Sequence, residues 1–211
     1  MTLNEISYFV AGRLNQPLNV VLVNEIKFAV NYWRSFILKQ EIFKHGQSGG
    51  YTQTITVPLV LVDKGDNCYV DVGCKIQKTK LPISKPLNIK GDMPFNYVGP
   101  INMKRPFGYR NQSQIAFSFT GEKNQVFYSI SNDYIYVWGD NKIDYITISG
   151  VFDEPNKAAE LCISNANCLG DDVEYPCPGD IVKMITDGLL NGTFALKPLV
   201  NEILTRDGQE A

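Results

Sequence analysis

Residues 45–57, HGQSGGYTQTITV, separate two kinds of sequence, and the change across them decides the fold class. On the N-terminal side, from Val20 to about Phe43, Leu22, Ile26, Ala29, Trp33, Phe36 (with Ile37) and Gln40 step by three and four, the repeat of one helical face. Asn24, Glu25, Lys27, Asn31, Arg34, Ser35 and Lys39 fall between them as the polar side. Some 25 residues at 1.5 Å each make a rod of roughly 35–40 Å. His45 stands in its last turn and Gly46 in the position of a terminating glycine. On the other side, Tyr51 to Val57 alternates with period two and is rich in β-branched residues, which predicts a strand. Helix before and sheet after make this an α+β chain.

Outward from that boundary, Leu3, Ile6, Phe9 (with Val10) and Leu14 predict a helix over about 3–13. Pro17 disfavours helical geometry at Gln16 and ends it, and Asn19 is placed to cap the next helix. Residues 1–46 therefore read as a long helical hairpin. Residues 47–155 read as a central antiparallel β-sheet or small sandwich. YTQTITVPLVLVDKGDNCYVDVGCKIQ looks like a hairpin turning at Lys64-Gly65-Asp66-Asn67, with Pro58 implying an edge strand or a bulge. Strands resume at QIAFSFTGE and QVFYSISNDYIYVWGDNKIDYITISGVF, with turns at Asn132-Asp133 and Gly139-Asp140-Asn141. Strand 146–150 runs into an acidic corner. There Gly150 is expected to relieve a tight backbone, Phe152 to enter the core, Asp153 to cap the turn and Pro155 to start a helix.

Between the strands, residues 81–112 form a long loop punctuated by Pro82, Pro86, Pro94, Pro100 and Pro106. Residues 156–211 give a short helix at NKAAELC and a C-terminal helix at YPCPGDIVKMITDGLLNG, then an extended tail. Pro178 suits the first turn, Asp180 the positive end of the helix dipole, and Ile181, Met184, Ile185 and Leu189 one face. The three regions read as one structural unit. Loop 81–112 and the segment after Gly192 lack the pattern of a core, so they are expected to order on a neighbour.

Composition narrows the function class. With 44% hydrophobic and 20% charged residues in 211, the chain is ordinary globular protein, large enough to need no staple. A net charge of −2 argues against a nucleic-acid coat, which needs clustered Lys and Arg. No stretch approaches the roughly 20 apolar residues of a spanning helix, and the N-terminus lacks a basic, then apolar, leader, so no membrane and synthesis in the cytoplasm are expected. Cys68, Cys74, Cys162, Cys168 and Cys177 are odd in number, which favours reduced thiols, and the last three are spaced too widely for a zinc knuckle. No metal and no cofactor is expected.

Nor is a catalytic group. Asp153 and Glu154 are adjacent and point apart on extended backbone, whereas a glycosidase pair faces itself across about 5–10 Å. Asp171 and Asp172 lack the further oxygen ligands of a calcium site and read as a solvated loop. With His45 the one histidine, no Ser–His or Cys–His arrangement stands out. The basic-aromatic stretch MKRPFGYR is the best candidate site. Lys104, Arg105, Phe107, Tyr109 and Arg110 suit a subunit interface, while a solvated loop or a nucleic-acid contact remain alternatives.

Three stretches carry a resemblance. EISYFVAGRLNQPLNVVLVNEIKFAVNYWRSFILKQE (5–41), IDYITISGVFDEP (143–155) and YPCPGDIVKMITDGLL (175–190) together resemble the head-to-tail connector proteins of crAss-like tailed phages. The resemblance implies a virion structural protein, a ring or adaptor subunit of the portal–tail connector and not an enzyme. It implies a homo-oligomeric ring, twelvefold as such rings typically are or sixfold further down the tail, with a dodecamer the expectation here, stacked with the portal protein and other tail ring proteins. Genomic DNA would pass through the lumen without specific binding. The competing readings are a small phage nucleic-acid-binding accessory protein or a hydrolase, which a deep pocket with convergent polar groups would favour.

Overall fold

A computed structural model describes residues 1–45, 51–62, 76–87, 94–111, 114, 126–139, 143–161 and 170–194. The expected turn at 64–67, the glycine tether at 46–50, most of QIAFSFTGE, Asp140-Asn141, four of the cysteines and the tail after Phe194 lie outside these residues. The α+β class holds. The chain divides into two units, Met1–Tyr51 with Asp171–Ala211, and Thr52–Gly170.

The first unit is helical. α1 (Leu3–Arg13) opens on a capping box, with Glu5 N–H donating to Thr2 Oγ1 at 3.1 Å and Thr2 N–H to Glu5 Oε2 at 2.9 Å. It ends before Pro17 with Asn15 at φ 58°. α2 (Val20–His45) starts where expected, because Asn19 Oδ1 accepts the N–H of Leu22 at 3.1 Å. α4 (Gly179–Leu190) follows Pro178, and the three helices pack on one another. Their common core holds Leu3, Ile6 and Val10 of α1, Ile181, Ile185 and Leu189 of α4, and Leu22, Ile26, Val30, Ile37, Leu38 and Ile42 of α2.

The buried stripe of α2 thus departs from the expected one. Past Ile26 it runs through Val30 and Arg34 to Ile37, which the expected stripe included beside Phe36, while Ala29 and Trp33 are half-buried and Phe36 is exposed. Arg34, expected on the polar side, is 0% exposed. Its Nε donates to the carbonyl of Pro176 at 3.1 Å and its guanidinium lies 5.6 Å from the Tyr175 ring centre. The aliphatic stem is buried as apolar surface while the head keeps acceptors, which is how an arginine tolerates a core position. Met184 of α4, expected inward, is exposed.

The segment 171–177 is pinned to these helices. Lys27 Nζ meets Asp171 Oδ2 at 2.6 Å, Asn4 donates to Asp172 at 2.6 Å, Tyr175 N–H reaches the Met1 carbonyl at 2.9 Å, and Tyr175 Oη donates to Asn31 at 2.8 Å. Asp171 and Asp172 are therefore anchors, and Asp172 makes its bond while remaining exposed to solvent.

The second unit is a seven-stranded sheet: β1 (Gln53–Leu61), β2 (Ile76–Thr79), β3 (Tyr97–Pro100), β4 (Gly108–Tyr109), β5 (Phe127–Ser131), β6 (Tyr134–Trp138) and β7 (Tyr145–Gly150), in the order β3-β7-β1-β2-β6-β5-β4. Among the described residues these strands form one sheet, antiparallel except where β4 joins β5. β1 pairs with β7 over Gln53–Pro58 and with β2 over Leu59–Leu61. Pro58 is consequently neither on an edge strand nor at a bulge. It stands one residue beyond the last β1–β2 pair, where its carbonyl accepts from Lys80 at 3.0 Å and the missing N–H breaks no ladder bond.

Alternation sorts the two faces. Ile55, Val57 and Leu59 of β1, Ile146 and Ile148 of β7, Ile135 and Val137 of β6 and Tyr128 of β5 form one core. On the opposite face hydroxyls pair across β1 and β7, Thr54 with Ser149 at 3.1 Å and Thr56 with Thr147 at 3.3 Å. Ile83, Phe95, Val98 and Phe107 also enter the core, all from the loop expected to await a neighbour. That segment carries no period because short extended pieces each deliver one or two side chains.

The corner at 150–155 is built on the same principle. Phe152 is buried and lies 5.5 Å from Phe95, as expected. Gly150 acts differently: the positive-φ glycines among the described residues are Gly139 and Gly192, so no tight backbone requires it. A Cβ there would instead lie 2.8 Å from Cδ1 of Phe95. α3 (Pro155–Glu160) has Pro155 at its start, but Glu154 occupies the cap position, not Asp153, and its side chain makes no cap bond. Ser84 secures the turn, donating to the Glu154 carbonyl at 2.9 Å and accepting from its N–H at 3.2 Å.

Candidate subunit interface

The five residues singled out from the sequence leave the sheet in different directions. After β3 the chain turns at Ile101-Asn102. Met103, at φ 54°, donates to the Pro100 carbonyl at 3.0 Å, and Lys104 N–H donates to Asn102 Oδ1 at 3.1 Å. This fixes a short knuckle whose side chains Ile101, Met103, Lys104 and Arg105 are all exposed. Phe107 turns the other way: its N–H bonds the Val98 carbonyl at 2.7 Å and its ring lies in the core. A ring held there cannot stack on a nucleic-acid base. Tyr109 and Arg110 run along the outer strand, half-buried, Tyr109 5.4 Å from Tyr128 and the Arg110 guanidinium 4.9 Å from the Phe127 ring centre. Lys104 and Arg105 are the two that point outward together.

A larger surface went unread in the sequence. Val21, Phe28, Tyr32, Phe36 and Phe43 of α2 are all exposed, Phe28 by 73%. Their spacings of seven, four, four and seven place them within about 80° of arc, opposite the buried stripe. Tyr8 and Phe9 of α1 and Leu18 before α2 are exposed too, Leu18 by 92%. An apolar surface of this extent marks a contact with another molecule more often than with solvent. The signal was in the sequence: α2 carries aromatic residues on a second face, which a single-stripe reading absorbs into the first.

Among the described residues the titratable groups form no catalytic constellation. Glu154 is half-exposed and ion-paired with Lys157, whose affinity for its proton rises through that hydrogen bond and charge. Burial pushes the Cys177 thiol up to about 11, with Arg34 opposing and Asp180 adding to the shift, so it stays a thiol near neutrality. Tyr175 and Tyr128 are likewise raised by burial. Among the described residues no group of three His, Cys, Asp or Glu is placed to hold a metal ion, and no helix is long and apolar enough to cross a membrane.

Against known proteins, a family model described as phage tail ring protein 2 matches residues 6–196, which takes in both units. No curated protein matches the chain.

Proposed function

The chain belongs to the phage tail ring protein 2 family of crAss-like phages, and from that premise we propose that its copies close into a dodecameric ring in the connector between portal and tail. As a family member it is a structural protein of the phage tail, assembled with other tail proteins. The finer reading sets the ring in contact with the portal protein and with further tail rings, and runs the genomic DNA through its lumen. The match over residues 6–196 supports a place in a tail ring for both units of the chain, and the finer reading is built on that support.

The chemistry supports the reading. A closed ring of identical subunits needs two different surfaces that fit head to tail. The apolar face of α2 and the knuckle bearing Lys104 and Arg105 are two such surfaces, with Tyr109 and Arg110 beside the second. A net charge of −2 suits a conduit that must let duplex DNA slide, since phosphate binding rises steeply with each added cation. Nothing in a structural ring calls for catalysis. Imaging purified virions by electron microscopy tests the proposal: the expected density is a closed ring of twelve copies below the portal. Isolated copies, or copies inside the head, would refute it.

A further inference from the structure

We infer that neighbouring copies meet through the knuckle 101–105 of one seated on the aromatic face of α2 of the next, with Arg105 paired to Glu25. This rests on the ring reading above and names the contact that closes it. The α2 face is apolar but not uniformly so. Glu25 stands inside the stripe, between Val21 and Phe28, and one of its carboxylate oxygens is buried with no hydrogen-bond partner among the described residues. The side chain is otherwise partly exposed, so its negative charge can be met from outside, and a guanidinium is the group best shaped to meet it.

The same chain supplies one on the knuckle. Ile101 and Met103, each at least half-exposed, flank the exposed Lys104 and Arg105, so the knuckle offers two apolar side chains and two cations together. Apolar surface then meets the aromatic stripe while the cations meet Glu25. Lys39 sits between Phe36 and Phe43, which directs the basic knuckle to the N-terminal half of α2, away from like charge. The two surfaces are different patches, so the contact is heterologous, as a ring of identical copies requires. A nucleic-acid occupant is disfavoured by the carboxylate.

Charge reversal in the assembled tail tests the contact. Glu25→Arg and Arg105→Glu should each lower the copies of this protein per purified virion at least about tenfold, and the double variant should return them to within about threefold of wild type. A cysteine pair, Phe28→Cys with Ile101→Cys, guards against variants that fail to fold. Mild oxidation of purified tails should give a ladder of multimers that neither single cysteine gives. Single reversals that incorporate at the wild-type level overturn the inference, as does absence of the ladder or a ladder containing a different tail protein. In each of those cases a wild-type ring seen by microscopy leaves the ring reading standing. If no ring of wild-type copies exists, that reading fails first.

Discussion

Replacing Gly150 by alanine sets two effects of opposite sign against each other. Losing a glycine restricts the unfolded chain and, at a compatible backbone angle, stabilises by about 0.4–1 kcal/mol. Gly150 is compatible, being an ordinary β7 residue paired with Gln53. Against this, the new methyl would lie 2.8 Å from Cδ1 of Phe95, and 3.5 Å from its Cα. The ring cannot step aside into solvent, since Phe95 is buried and packs on Phe152. Overfilling such a core costs about 1–3 kcal/mol, so the net expectation is a loss of about 1–2 kcal/mol. Urea denaturation in a Trp33→Phe background reads it, because Trp138 of β6 then reports the sheet unit alone. The double variant with Phe95→Leu should recover about 1 kcal/mol of coupling by removing the clashing ring edge. A neutral or stabilising Gly150→Ala, or strict additivity with Phe95→Leu, refutes the argument.

Three further outcomes follow from the geometry. Gly188→Ala should gain up to about 1 kcal/mol of helix propensity in α4, yet its methyl collides with the Phe194 ring, which stacks on Trp33 at 3.9 Å; Trp33 emission, read in a Trp138→Phe background, should shift to the red, and an unchanged spectrum would show that the stack survives. The Cys177 thiol should make stability fall as pH rises from 9.0 towards about 11, because the unfolded chain releases the proton that the folded state retains; Cys177→Ala should remove the part of that fall below pH 10, and an identical alkaline profile in the variant would contradict the assignment. Asp153→Asn with Glu154→Gln breaks the surface Glu154–Lys157 ion pair, worth about 0.5 kcal/mol, so virion assembly should be preserved, and a folded variant that no longer assembles would give the corner a role that this pair does not explain.

What the sequence discloses here depends on how many periods a segment carries. β1 and β7 show one period, so alternation places Ile55, Val57, Ile146 and Ile148 correctly and delivers Phe152 to the core. Asn19 and Pro17 act locally and are equally plain. α2 carries two apolar faces, and a count of threes and fours slides from one to the other: Ala29, Trp33 and Phe36 are counted where Val30 is buried, with Ile37 kept only beside Phe36, while Arg34 looks polar until the Pro176 carbonyl and the Tyr175 ring are known. The exposed face, the larger part of the candidate interface, is hidden by that same ambiguity. The loop 81–112 has no period to read, so Phe95, Val98 and Phe107 emerge as core only once the strands stand around them. The Thr2–Glu5 capping box, by contrast, was written plainly as Thr-x-x-Glu and passed over.

The order in which the chain leaves the ribosome adds a constraint on folding. The sheet unit, Thr52–Gly170, is an insertion within the helical one. Its strands are all synthesised before the segment that completes the helical core, so it can reach its native pairing while α1 and α2 still lack α4 and Tyr175. Until those residues emerge, Arg34 lacks the Pro176 carbonyl, and the inner face of α2 is covered by α1 without α4. The helical unit is therefore the last part of the subunit to mature, and premature association of nascent copies through α2 is the hazard that this order of synthesis creates.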